Sequence, residues 1–526
     1  MMPGLASADF AAERDQLLQR AMSMATALAR SAARSTTLGR ERAILRLIGV
    51  TGLDREGRPL AAEVVDQYVG GDTTRLALGI GLPFAMALLE YDTTPQQLAL
   101  DVAAGAVDLN LEAELLAEPE RHRQASDHLS RLTAAAMARI DANRVARTEL
   151  LQVLNDHRPP WIGASLLTPS LIPAENEATA LVRAGLDLLR VEVPATRELA
   201  IRLGELGQDV AWRPRVPGEE SEVTPTGSQR GLARLREVLD RAAAERGAYV
   251  RLAIAPTALA GPEGAIVAAF ERGDLLELDP MREMFVTGVD PARALVDFGF
   301  AVRVARRAGV TLVIDAGPLV VAPDLGSGVN ADSPTRAGRS LALQMLAVLM
   351  ARAVGIPDEL VIVGAVPYWL LGEPDAPALA LAEVALRRAL YPGHRLAFVE
   401  PPDSEDPGRW SAIVAAVQPG SAVAIVRPRV EPDPAHVAAA AARARWAGTV
   451  GEGLDGQVAG LHLAGLAMDH ARRTLAAAIA TLDLLDSDGW AVLTGAATTR
   501  GGWGRLGEDA VAHSGETADP VERALA

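Results

Sequence analysis

Polar side chains recur at or just beyond the ends of short apolar runs in the middle of the chain, and these carry the chemistry on offer. They are Thr168 and Ser170, Arg190 and Glu192, Arg213 and Arg215, Thr257, Asp279 and Arg282, Asp315, Glu400 and Asp403, and Arg427 and Arg429. Arginine presents a rigid fork of donors, so several arginines converging on one opening suit a phosphate or a carboxylate. The stretch PTALAGPEG (256–264) lies between an apolar run and a helical one, where backbone N–H groups can face an anion.

Positioning such residues requires the runs themselves to be strands. The candidates are WIGASLL (161–167), LDLLRVEV (186–193), DVAWR (209–213), YVRLAIA (249–255), LLELD (275–279), TLVID (311–315), ELVIVGA (359–365), RLAFVE (395–400) and AVAIVR (422–427). Amphipathic helical runs separate most of them, which implies parallel strands with right-handed crossovers. About eight such units over roughly 250 residues is the size of a (β/α)8, or TIM, barrel, whose chemistry sits at the C-terminal ends of the strands. Nine candidates are one too many, so one lies outside the barrel; a doubly wound open sheet is the competing α/β arrangement. Residues 1–155 read as an N-terminal helical region, 156–430 as the barrel, and 431–526 as C-terminal helices followed by a Gly-rich tail.

In the N-terminal region, STTLGRERAILRLIGVTGLDREG (35–57) shows the local logic. Thr37 suits an N-cap, Glu41 the positive helix end, and Gly49 the C′ stop. Ile44, Leu45 and Ile48 line one face, and Arg42 and Arg46, one turn apart on another, are expected on a solvated rim. Further helices are predicted near 60–69, 74–90, 94–105, 119–154, 432–447 and 456–485.

Composition narrows the function. The chain has 526 residues, 49% hydrophobic, with a formal net charge of -16, a pI near 5.1 and a mean hydropathy of +0.14. Such a chain folds rather than staying disordered, and its acidic surface repels nucleic acid. The start, MMPGLASADFAAERDQ, has early acidic charge and no apolar h-region, so no signal peptide is expected. SLALQMLAVLMARAVG (340–355) is interrupted by Arg352 and is shorter than the roughly 20 residues of a membrane span, so it reads as a buried helix. A cytoplasmic location is expected. There is no cysteine, and all 51 basic residues are arginine. Thiolate chemistry is therefore excluded, as is a Schiff base through this chain's own lysine.

Short motifs add exclusions. GEGLDG (451–456) has G-x-G-x-x-G spacing but follows a helical run, so it reads as a helix-connecting loop. The eight histidines show no H-E-x-x-H pattern, and His462 and His470 are placed on one helix as satisfied or surface residues. G-x-S-x-G and Walker loops are absent.

Longer stretches carry a resemblance. TTLGRERAILRLIGVTGLD, AAEVVDQY, DTTPQQLALDVAAGAVDL (92–109), DANRVARTE (141–149), YVRLAIAPTALAGPEGAIVAAFERGDLLELD (249–279) and the Gly-rich ending resemble, in order, the large (α) subunit of lysine 5,6-aminomutase. The resemblance implies a (β/α)8 barrel with helical additions. It also implies an adenosylcobalamin- and pyridoxal-phosphate-dependent radical 1,2-amino shift on D-lysine, β-lysine or a related diamino acid. Both cofactors would be held largely by a smaller cobalamin-binding (β) subunit, which carries D-x-H-x-x-G and the pyridoxal lysine. This chain has neither.

Carried over residue by residue, the family's arginine ending the second strand matches Arg190. Its nearby serine falls at Ala195 or Thr196, and the serine after the fourth strand at Thr257. The tyrosine packing on the pyridoxal ring falls at Arg282, and an arginine beyond it at Thr287. The substrate-binding aspartate lies near Asp315, and a lysine near the last strands falls at Ala397. Substrate or cofactor contacts are thus expected from Arg190, Thr196, Thr257, Arg282 and Asp315, with no metal site. The departures leave two functions open: an aminomutase large-subunit component, or a non-catalytic accessory relative.

Overall fold

The computed structural model describes residues 8–54, 59–70, 72, 74–154, 156, 160–166, 174–192, 225–256, 259–285, 289–316, 332–367, 369–370, 373, 375–399, 412, 422–426, 434–453, 464–490, 511–513 and 520–525.

Eight parallel strands close into a barrel: β2 (Trp161–Leu166), β3 (Leu188–Glu192), β4 (Arg251–Ala255), β5 (Leu275–Glu277), β6 (Thr311–Ile314), β7 (Val361–Gly364), β8 (Arg395–Val399) and β9 (Ala422–Val426). Closure comes from β2 pairing with β9, Trp161 opposite Val423, which an open doubly wound sheet lacks. Eight of the nine predicted runs supply these strands; the ninth, DVAWR, lies outside the described residues.

Alternation along each strand fills the barrel. Trp161, Leu188, Ala253, Leu275, Val313, Ile362, Ala397 and Val423 form one inner cluster, as the two-residue side-chain period requires. Trp161, Arg251 and Arg395 each begin a strand, so they mark the N-terminal end. The two guanidinium groups sit on the indole, 3.5 and 4.1 Å from its ring centre, and close that end by cation–π stacking.

The N-terminal helices are α1 (Ala8–Ala32), α2 (Leu38–Leu47), α3 (Leu60–Val69), α4 (Gly81–Tyr91), α5 (Pro95–Ala103), α6 (Leu109–Leu115) and α7 (Pro119–Val153). Thr37 caps α2, its hydroxyl accepting from the Arg40 amide at 3.0 Å, and Gly49 follows at φ +108°. The solvated rim expected for Arg42 and Arg46 is not found: every residue of α2 is buried. Arg46 donates to Glu263 at 2.8 Å and Arg42 to Asp66 at 2.9 Å. A helix enclosed on all sides keeps its arginines only by pairing them.

The helix predicted over 74–90 is broken, with a 3-10 turn at Arg75–Leu78 preceding α4. Gly79 between them has φ +67°, and the Ile80 amide donates to the Glu41 carboxylate at 2.7 Å. Glu41 thus supplies from α2 the cap that the local sequence lacks.

Around the barrel lie α8 (Ala174–Arg183), α9 (Pro225–Arg246), α10 (Gly261–Phe270), α11 (Pro280–Phe285), α12 (Pro291–Ala308), α13 (Ser333–Ala353) and α14 (Ala376–Leu390), followed by α15 (Pro434–Gly453), α16 (Ala464–Asp488) and α17 (Pro520–Leu525). α15 runs through Gly453, so GEGLDG begins in its last turn rather than in a loop. α13 contains the apolar run from 340 to its own end at Ala353 and packs against α1 and α16. Among the described residues no helix is long and apolar enough to cross a membrane.

The Gly-rich ending contributes two elements that its composition hides. β10 (Val511–His513) pairs antiparallel with β1 (Ser35–Thr37). Glu522 of α17 accepts from Arg40 at 3.2 Å and from Arg303 at 2.9 Å. The last described residues therefore clasp the N-terminal region.

Candidate functional site at the barrel mouth

Two residues beyond the inner cluster, the strand period points polar side chains the same way. Arg190 follows Leu188 on β3, Glu277 follows Leu275 on β5, and Ser165 pairs in register with Arg190 from β2. Between β3 and β5, β4 presents Ala253 and Ala255, whose methyl groups leave room for a reach across the barrel. Arg190 uses it: Nε donates to Glu277 Oε2 at 2.6 Å and Nη2 to Oε1 at 3.0 Å. Its Nη1 donates to Ser165 Oγ at 2.8 Å. The guanidinium is 3% exposed, and the fork geometry makes this the strongest kind of side-chain pair.

One layer further out are Asp279 and Asp315. Asp279 begins α11, its Oδ1 accepting from the Arg282 amide at 3.0 Å. Burial, with Asp315 nearby, pushes its carboxyl up to about 7. Asp315 follows β6 and accepts from the Ala316 amide at 2.7 Å. Burial and the charge of Glu277 raise it, against the opposing pull of Arg282 and Arg190. Removal from water and like charge act together to favour the protonated forms. Arg282 is exposed.

Beside this layer Glu283 of α11 approaches the start of α10. It accepts from the Leu259 amide, and burial with Asp297 close by raises its carboxyl to about 8. Leu259 has φ +67°, a left-handed backbone uncommon for leucine. The turn expected to receive an outside anion thus already faces the chain's own carboxyl.

Of the five predicted site residues, Arg190, Arg282 and Asp315 come together at the C-terminal end of the barrel. Thr196 and Thr257 lie outside the described residues, as do Ala195, Thr287, Arg213, Arg215, Arg427 and Arg429. Ala397 belongs to the inner cluster of the barrel. Glu277, Ser165 and Glu283 went unread in the sequence. Glu277 had one signal, an acid at the inward phase of an otherwise apolar strand. Where arginines were expected to dominate, the described mouth holds Glu277, Asp279 and Asp315 against Arg190 and Arg282. His470 is buried, its Nε2 2.7 Å from Glu383, while its Nδ1 is buried without a hydrogen-bond partner. Among the described residues no group of three or more His, Asp or Glu side chains is arranged to hold a metal ion.

Comparison with known proteins agrees with this architecture. Residues 12–406 match the family model described as the D-lysine 5,6-aminomutase TIM-barrel domain of the alpha subunit. The lysine 5,6-aminomutase alpha subunit of Fusobacterium nucleatum is 26% identical over 369 residues, 70% of this chain and 66% of that protein. That of Acetoanaerobium sticklandii is 26% identical over 325 residues, 62% of this chain and 58% of that protein. The chain thus matches just under two thirds of the length of the first relative and less of the second. A solved DHPS of Yersinia pestis aligns with 56% of this chain and 94% of its own at 12% identity and a TM-score of 0.35, a likeness too low to inform the site. With eight strands closed into a barrel and most of the chain matched, this protein belongs to the lysine 5,6-aminomutase alpha-subunit TIM-barrel family.

Proposed function

We propose that the chain is the large-subunit component of an adenosylcobalamin- and pyridoxal-phosphate-dependent aminomutase, performing a radical 1,2-amino shift on D-lysine, β-lysine or a related diamino acid. Family membership supports the reaction class, and the observation that carries the site is the carboxyl layer of Asp279 and Asp315 above the Arg190–Glu277 pair. In this reading Asp279 and Asp315 receive the distal ammonium of the substrate, whose charge offsets the burial and like-charge repulsion that raise their titration. The paired Arg190 and Glu277 form a rigid, charge-balanced floor. The closed barrel keeps water from one side of the reacting centre.

The cofactors themselves do not fit the described residues. Pyridoxal phosphate needs an amine for its aldehyde, and the chain has no lysine. Its phosphate needs uncommitted donors, whereas Arg190 is held by Glu277 and Ser165. Both cofactors are therefore assigned to a smaller cobalamin-binding subunit, and the pair to the cytoplasm. The accessory reading has one observation in its favour: Ala397 packs in the apolar inner cluster where the resemblance places a lysine.

Co-purification with the candidate small subunit, followed by absorbance spectra with both cofactors and D-lysine, β-lysine or ornithine, tests the proposal. A complex whose pyridoxal or cobalt spectrum changes with substrate supports it. No complex, or no spectral change, overturns the catalytic reading.

A further inference from the structure

Behind the mouth, outside the strands, lies a fully buried polar chain. Gln344 of α13 is 1% exposed, and Arg387 and Glu383 of α14 are 0% exposed. The Gln344 amide Nε2 donates to two backbone carbonyls, Asp315 at 2.7 Å and Gly364 at 2.9 Å. Its Oε1 accepts from Arg387 Nε at 3.0 Å. Arg387 Nη2 in turn donates to the Ala316 carbonyl at 3.2 Å. Glu383 pairs with Arg387, and His470 of α16 with Glu383. The Asp315–Ala316 segment is thus gripped at two successive backbone carbonyls by side chains from two helices.

The opposite side of that peptide is equally fixed. A Cβ on Gly364 of β7 would lie 2.2 Å from the Ala316 nitrogen and 2.6 Å from the Asp315 carbonyl carbon. The peptide rests on bare backbone, which only glycine provides. The bonds and the packing act on the residue whose carboxylate enters the mouth.

We propose that Gln344 and Arg387 are positioning residues that press the Asp315–Ala316 peptide onto Gly364 and so aim the Asp315 carboxylate into the barrel mouth. Neither touches the mouth; both act through Asp315. Buried polar groups of this kind keep their bonds because an unmade one is costly, so the geometry they impose on Asp315 is rigid. The proposal rests on the reading of the mouth as the substrate site, but its primary test does not.

The test follows the Asp315 carboxyl itself. The full chain is labelled with ¹³C-carboxyl aspartate, and the Asp315 signal is identified by its loss in Asp315→Asn. Glu277, Asp279, Arg282 and Arg190 are the charged groups that face it. In Gln344→Met, which keeps the side-chain volume and removes the amide, the freed carboxylate turns toward water and its titration midpoint falls toward the ordinary aspartate range. Gln344→Leu, which also removes the amide and introduces no charge, covers the case in which the first variant does not fold. A folded variant with an unchanged midpoint overturns the proposal, because a merely structural glutamine leaves the carboxyl where it was. With the small subunit and cofactors present, D-lysine binding in the variant weakens on the order of ten-fold. If the wild-type complex binds no D-lysine while the midpoint still shifts, the substrate reading fails and the positioning role stands.

Discussion

Replacing Glu277 by glutamine probes the link that spans β3 to β5. The substitution preserves shape and removes one charge, leaving Arg190 buried at 3% exposure with Ser165. Breaking a buried ion pair by losing one partner costs about 3–5 kcal/mol. The Glu277 side chain is 17% exposed, and the amide oxygen of glutamine still accepts from Arg190. Both facts place the cost at the lower end, about 3 kcal/mol. The assay is urea unfolding at pH 7 of four proteins: wild type, Glu277→Gln, Arg190→Met and the double variant. Because the pair satisfies itself, removing both partners costs less than the sum of the single losses, and the coupling energy is about 2 kcal/mol. A coupling below about 1 kcal/mol, the range of exposed pairs, would refute the picture of a desolvated, charge-balanced floor.

Two further outcomes follow from the same geometry. Asp279 titrates at about 7, above the ordinary aspartate value of about 4. The folded chain therefore retains a proton the unfolded chain has released, and stability declines as pH rises from about 4 through about 7. Asp279→Asn flattens this part of the curve of thermal midpoint against pH; an unaltered slope contradicts the assignment. Glu522→Gln weakens the clasp on Arg40 and Arg303 and lowers stability by about 2 kcal/mol, the scale of charge-assisted hydrogen bonds lost at a partly exposed group, with faster proteolysis within 511–525. Unchanged cleavage and stability would mean that β1–β10 pairing holds the ends together without it.

Legibility in the sequence tracked the range of the interactions. Thr37 as a cap, Gly49 as a stop and the eight short strands were readable because each depends on neighbours within a few residues. Asp315 was reachable for the same reason, standing just past β6, and Arg190 because its strand was recognised, although it lies in the middle of β3 rather than at its end. Glu277 was half legible: its strand was recognised, but its role depends on which acid faces Arg190 across β4. Arg42 and Arg46 were misplaced because a helical pattern shows which faces are polar, not whether another element covers them. Asp66 and Glu263, which neutralise them, are distant in sequence.

By itself, the sequence determined the period of the barrel, the absence of a lysine amine and the acidic balance, all of which are local or compositional. Only tertiary structure decided that Arg190 meets Glu277, that Gly364 bears the Asp315–Ala316 peptide, and that β10 returns to β1. Those contacts join residues separated by tens to hundreds of positions. Their energies depend on burial and on which charges end up facing each other, and no run of neighbouring residues encodes either quantity.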